Sequence, residues 1–197
     1  MVMLFLSIIF AYLLGAISSS YIAGKVASGV DIRDHGSGNA GATNTLRVLG
    51  PKLALLVLVA DIVKGILAIA FAHLATNGSQ WAMALSGLAA IIGHNWPIYF
   101  NFRGGKGVAT TIGVLATLSF PPALYAGLVA IALLLLTRYV SLAALTFVTL
   151  TPIFQIAMHT PAPYIWVSVI ILLMTFWRHR TNITRLRKGV EHRIFSR

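Results

Sequence analysis

Apolar stretches of near-bilayer length fill most of this chain, and they leave few folds open to it. A hydrocarbon core about 30 Å thick takes about 20 apolar residues as a helix. Seven stretches approach that length: 3–24, 51–74, 81–98, 108–120, 122–136, 140–158 and 164–177. Pro51 suits a first helical turn. The fourth and fifth are short for a full crossing, and Phe120-Pro121-Pro122 between them marks a turn more naturally than a helix centre. Only 10% of the 197 residues are charged and 58% are hydrophobic, whereas a soluble domain carries about 25% charged residues. The chain reads as an all-α polytopic membrane protein with seven transmembrane helices. Residues 1–197 show no internal repeat, linker or low-complexity tract, which implies a single domain. Met1-Val2-Met3 lacks the positive start of a cleaved signal, so the first stretch is expected to be retained with its N-terminus outside.

Charge placement supports the count. Lys25, Arg33, Arg47 and Lys52 follow the first stretch, Arg103 and Lys106 the third, and Arg138 the fifth. Arg178, Arg180, Arg185, Arg187, Lys188, Arg193 and Arg197 follow the last. The intervening connections carry no Lys or Arg, and the remaining cation, Lys64, lies within the second stretch. This alternation is the positive-inside pattern, which puts the C-terminus in the cytoplasm. It accounts for a net charge of +11 without nucleic acid. With no cysteine, there is no disulfide framework, cysteine metal site or thiol nucleophile. Asp61 and Lys64, i and i+3 on one helical face, are expected to pair with each other as a structural feature.

All polar motifs then fall on the cytoplasmic side. Residues 36–47 read GSGNAGATNTLR. Glycines there let backbone amides turn toward an anion. Ser37, Asn39, Thr43 and Asn44 add short hydrogen-bonding groups, and Arg47 a forked cation. Gly36-x-Gly38-x-x-Gly41 matches the dinucleotide fingerprint formally, with Asp61 at the customary distance. That motif needs a βαβ unit, which a membrane helix cannot supply. Residues 93–110 read GHNWPIYFNFRGGKGVAT. Phe100 and Gly107 stand where a nucleotide-binding P-loop needs Gly and Ser or Thr, so ATP is not implied. Gly104, Gly105, Lys106 and Gly107 ahead of a helix still suit a phosphate. A third segment, Arg178-His179-Arg180-Thr181-Asn182 onward, carries Ile183, Leu186 and Val190 at helical spacing and is expected to lie along the membrane surface. Of six histidines, His73 and His159 fall toward the outer face. His35, His94, His179 and His192 fall inside, and His179 is the best candidate base. Ser141 is a further polar candidate.

Together these segments resemble the acyl-phosphate:glycerol-3-phosphate acyltransferases of bacteria, the PlsY family. The resemblance is carried by 36–47, 93–110 and RHRTNITRL through GVEH at 178–192, with DIVKG at 61–65 and RYVS at 138–141. It spans the whole chain in order. Thr181 departs from the Glu expected there, and Arg103 from the usual Lys. The resemblance implies transfer of a fatty acyl group from acyl-phosphate to the 1-hydroxyl of glycerol 3-phosphate, giving lysophosphatidate and phosphate at the cytoplasmic face of the bacterial inner membrane. It makes Ser37 and Arg47 essential, and has Gly104, Gly105 and Gly107 bind glycerol 3-phosphate. His179 and Asn182 contribute to activity, and Glu191 is structural. Gly38, Gly41, Asn39, Thr43, Asn44 and Ser141 join the expected substrate-binding set. Lys106 and Arg47 are expected to stabilise the oxyanion and the departing phosphate. No metal or other cofactor is expected. No acid follows any histidine by five positions, so the H-x4-D box of acyl-CoA-using enzymes is missing from this sequence. The competing readings are a phosphate-ester transporter or a lipid-binding membrane protein. A phosphotransferase acting on CDP-alcohols is disfavoured by the scarcity of clustered acids.

Overall fold

The computed structural model describes residues 1–194, which contain ten α-helices, two short 3-10 turns and no strand. The helices are α1 (Val2–Gly15), α2 (Ser19–Ser28), α3 (Ala42–Leu49), α4 (Pro51–Ala75), α5 (Gln80–Asn95), α6 (Val108–Leu118), α7 (Phe120–Thr137), α8 (Val140–Ala157), α9 (Ala162–Arg178) and α10 (Arg180–Arg187). They form two compact units, Met1–Leu118 and Ser119 onward.

Each of the seven apolar stretches falls on helix. By length and composition, however, only α1 with α2, α4, α7 and α8 among the described residues are long and apolar enough to cross a membrane. The pair α9 and α10, bent by 63°, makes a fifth if taken as one span. Both α5, with 16 residues, and α6, with 11, are shorter; at 1.5 Å per residue α6 rises only about 16 Å. The third stretch stops at Asn95 rather than 98, because Pro97 cannot continue a helix. Between α6 and α7 the break falls at Ser119 (φ −156°, ψ 86°), one residue before Phe120. Pro121 and Pro122 occupy the first turn of α7, where their missing amides cost nothing.

Small residues set the packing of the first unit. In α1 the buried positions are Ser7, Ala11 and Gly15, one turn apart, while Phe5, Leu6 and Ile9 are exposed as a lipid-facing surface would be. Gly15 lies against the backbone of Ala90, and Gly93 against the carbonyl of Tyr12. A methyl at either position would collide, so α1 and α5 touch backbone to backbone. Small-residue contact of this kind drives helix association in lipid, where apolar burial contributes little. Gly65 and Gly113 do the same between α4 and α6.

The first stretch is not one continuous helix. It breaks at Ala16–Ser18, where Ser18 is extended (φ −87°, ψ 93°). Nothing in Ala16-Ile17-Ser18 demands a break. The carbonyl of Ile17 turns aside and accepts from the Lys64 ammonium at 2.9 Å. A helix interrupted at membrane depth needs a partner of this sort for its backbone.

In the second unit, Gln155 of α8 donates to Ser119 Oγ at 2.7 Å, both groups buried. Tyr125 of α7 meets Phe154 of α8 edge to face at 6.2 Å.

Candidate active site

Residues 30–50 fold around one side chain. Asn44, in the first turns of α3, is fully buried. Its Oδ1 accepts the Ser37 amide at 2.8 Å, and its Nδ2 donates to the carbonyls of Ile32 and His35, both at 3.0 Å. Gly36, at φ +61°, leaves no room for a Cβ beside Asn44 Oδ1. The loop therefore winds round an internal amide, and Ser37 is presented on the exposed surface. Arg47, three residues beyond Asn44, is also exposed. Asn39, Gly41 and Thr43 are half-buried and Gly38, at φ +69°, is exposed.

The second loop is tied to the first by Arg33. Its guanidinium grips the Asp31 carboxylate at 2.6 and 2.9 Å and donates to the Phe100 carbonyl at 2.9 Å. It also stacks on Tyr21, 5.0 Å from the ring centroid. These hydrogen bonds from Arg33 hold the Asp31 carboxyl down at about 2, against the opposing effect of burial. The chain then runs through Asn101 and Phe102, both left-handed (φ 54° and 57°), a conformation that costs about 1 kcal/mol or more for a bulky residue. At the glycines, the Gly105 amide donates to the His94 carbonyl at 3.1 Å. A methyl on Gly105 would strike both His94 Nε2 and the Ala40 carbonyl. Segment 36–47 and the glycine turn are thus in contact at Ala40 and Gly105. Lys106, half-buried, follows immediately. Gly107 (φ +75°) opens into α6, where the Thr111 amide bonds back to its carbonyl at 2.7 Å.

Beneath this pair of loops lies the buried network of the first unit. Lys64 Nζ is 2.9 Å from Asp61 Oδ1, as the i, i+3 spacing implied. The same ammonium is 3.0 Å from His94 Nδ1, and Ser19 Oγ donates to Asp61 Oδ1 at 2.9 Å. Thr110 Oγ1 lies 3.3 Å from His94 Nδ1. Sequence reasoning paired Asp61 with Lys64 but left His94 and Arg33 unassigned. His94 is 30 residues from Lys64 in the chain, and Arg33 was counted only among the topology-setting cations.

In the second unit the polar cluster centres on Glu191. Asn182 Nδ2 donates to Oε1 at 2.6 Å, Ser141 Oγ to Oε1 at 3.0 Å, and Arg185 Nε to Oε2 at 2.7 Å. Burial alone would raise the Glu191 carboxyl. The bonds from Asn182, Arg185 and Ser141, with the Arg185 charge, outweigh it and hold the carboxyl below the usual glutamate range. His179, 2% exposed, directs Nδ1 to the Thr175 carbonyl at 2.9 Å. A carbonyl only accepts, so Nδ1 carries the proton and Nε2 of the neutral ring is basic. Thr181 is exposed on α10. An apolar groove of about 440 Å³ between α8, α9 and α10 is lined by residues that include Leu142, Leu145, Leu150, Phe176 and Leu186. No cluster of three metal-binding side chains occurs among the described residues.

Apolar spans with two glycine-rich, cation-bearing loops in contact define a multi-pass membrane protein equipped for a phosphorylated ligand. The family model described as Glycerol-3-phosphate acyltransferase matches residues 5–189. The glycerol-3-phosphate acyltransferase of Shouchella clausii is 54% identical over 98% of this chain and 97% of its own length. That of Halalkalibacterium halodurans is 53% identical over 96% and 94%. A crystal structure of PlsY (YgiH), an integral membrane glycerol 3-phosphate acyltransferase in its glycerol 3-phosphate form, superposes with a TM-score of 0.92 at 40% identity, covering 97% of this chain and 95% of that one. Its lysophosphatidic acid form gives 0.90 at 39%. The chain belongs to the glycerol-3-phosphate acyltransferase family.

Proposed function

We propose that this protein transfers a fatty acyl group from acyl-phosphate to the sn-1 hydroxyl of glycerol 3-phosphate, the first acylation of bacterial phospholipid synthesis. The observation that carries the reading is the contact of two glycine-rich loops at Ala40 and Gly105, with Ser37 and Arg47 exposed on one and the half-buried Lys106 on the other. The related structures were obtained in glycerol 3-phosphate and lysophosphatidic acid forms, the substrate and product of this reaction.

Acyl-phosphate is already activated, and with no cysteine in the chain a thioester intermediate is ruled out. In this scheme the sn-1 oxygen attacks the acyl carbon directly, the new ester C–O bond forms, and the bond to phosphate oxygen breaks. Phosphate leaves with the electron pair. Positioning of the two substrates supplies much of the rate. Ser37, Arg47, Lys106 and loop amides hold the phosphates and the developing oxyanion. Gly38, Asn39, Gly41, Thr43 and Asn44 shape the first loop around its ligand, and Gly104, Gly105 and Gly107 the second. The hydroxyl proton passes to His179 Nε2 or to an oxygen of the departing phosphate. Preserved turnover in His179→Ala leaves only the second route. Asn182 and Ser141 act through Glu191, which holds the third motif together. The fatty chain suits apolar helix surface such as the groove beside Leu145. Glycerol 3-phosphate, acyl-phosphate and membrane lipid are the partners, and no cofactor takes part.

We place the protein in the bacterial inner membrane as one acyltransferase domain, crossing seven times with its N-terminus outside and its C-terminus and motifs in the cytoplasm. The cation pattern supports this. The decisive assay supplies purified protein with labelled glycerol 3-phosphate and acyl-phosphate, acyl-CoA or acyl-carrier protein in turn. Lysophosphatidate from acyl-phosphate alone is expected, abolished in Arg47→Ala. Uptake into proteoliposomes without product would replace the reading with transport.

A further inference from the structure

We infer that His94 is a positioning residue: it braces the Gly104–Gly107 turn on the buried Asp61–Lys64 pair and so sets affinity for glycerol 3-phosphate. The inference rests on the functional reading above, in which that turn binds the substrate's phosphate.

The Lys64 ammonium has three protons and no lone pair. Three acceptors surround it: Ile17 O at 2.9 Å, Asp61 Oδ1 at 2.9 Å and His94 Nδ1 at 3.0 Å. His94 Nδ1 is therefore an acceptor, and the ring proton of the neutral imidazole is on Nε2. The Nε2 edge is the one that abuts Gly105. Gly105 is itself held to the His94 carbonyl through its amide, so this one residue contacts the turn through both backbone and side chain. Gly104 is clamped as well, between the His94 carbonyl and the Pro97 ring, which a Cβ would approach to 2.5 Å. His94 is 7% exposed, and Asp61 and Lys64 are 1% and 5% exposed. A dry, saturated network of this kind is stiff, because each member loses a partner if it moves. Without the imidazole, the glycines ahead of Lys106 lose the side-chain brace at Gly105 and regain conformational freedom. A misplacement of about 1 Å in a binding turn is enough to cost up to a hundredfold in efficiency.

Two substitutions separate this role from a purely structural one. His94→Asn keeps an acceptor near the Nδ1 position for Lys64 but loses the edge against Gly105. His94→Gln places its amide near the Nε2 position but deprives Lys64 of its close acceptor. For Asn we expect thermal stability near wild type and a KM for glycerol 3-phosphate raised about tenfold, with the KM for acyl-phosphate unchanged. For Gln we expect the reverse order: lower stability and a KM for glycerol 3-phosphate within about threefold of wild type. A folded Asn variant with unaltered KM for glycerol 3-phosphate overturns the inference. So do equal shifts in both KM values, KM changes that track stability across the pair, or failure of both variants to fold. Wild-type protein that makes no lysophosphatidate would instead defeat the functional reading itself.

Discussion

Each unit holds a carboxylate gripped by several donors, and the two are built differently. Asp61 takes its bonds from Ser19 and Lys64, and Lys64 reaches on to Ile17 and His94. These partners belong to segments 30 to 47 residues apart and to spans that pack in lipid. Glu191 takes two of its bonds from α10, Asn182 and Arg185, and one from Ser141 at the start of α8. Lys64 is 6% exposed in its side chain and Arg185 37%. The first cluster is dry and joins helices that are distant in sequence, whereas the second is a wetted clasp that closes the tail on its own unit. Burial makes a lone charge expensive, so the first must be complete to be tolerated at all, while water can replace a missing partner in the second.

The contrast predicts a steep ranking. Lys64→Met leaves Asp61 charged and buried beside an unsatisfied Ile17 carbonyl, and is expected to cost about 3–5 kcal/mol. Thermal unfolding in detergent should show the largest loss of any single change here. The double variant Asp61→Leu with Lys64→Met should recover part of it, since a missing pair is better tolerated than half a pair. No recovery would mean that the cluster stabilises through its neutral partners rather than its charges.

Glu191→Gln keeps size and an acceptor but removes the charge that Arg185 meets. The expected cost is about 2 kcal/mol, the scale of hydrogen bonds to an ionised group. The same carboxylate gives a pH dependence of known sign. Its folded value lies below the ordinary one of about 4.3, so its stabilisation is complete above that pH and is lost as pH falls through the folded value. Melting temperatures of wild type and Glu191→Gln should be well separated at pH 7 and converge as pH falls through the carboxyl's folded value. A gap that widens on acidification would reverse the assignment.

How much of this was legible beforehand divides along the same line. Helical stretches are written in local composition, and all seven fell on helix. The Asp61–Lys64 pair is also local, three residues apart on one face. The break at Ala16–Ser18 is not, because no proline or glycine occurs there; what stabilises it is an ammonium 47 residues later. His94 falls on the cytoplasmic side by sequence, but its contact with Lys64, 30 residues away, was not legible for the same reason. In the glycine-rich loop the composition pointed to an anion site, yet did not show that Asn44 turns inward to hold Ser37, Ile32 and His35. A polar side chain in a phosphate-binding loop has two ways to be useful, and only geometry tells which bonds it has already made.

The smallest expected effect tests how local the second cluster is. Ser141 contributes a neutral hydroxyl to Glu191 Oε1, which also accepts from Asn182 at a shorter distance. Removing the hydroxyl leaves the carboxylate two donors, so Ser141→Ala should cost about 1.5 kcal/mol, the low end for a hydrogen bond to an ionised group. If Ser141 serves only Glu191, the serine deletion adds nothing once the carboxylate itself is gone, as in Glu191→Leu. The double variant Ser141→Ala with Glu191→Leu should then melt close to Glu191→Leu alone. Full additivity of the two losses would show that the hydroxyl stabilises α8 independently of the tail, because groups sharing one partner do not contribute separately.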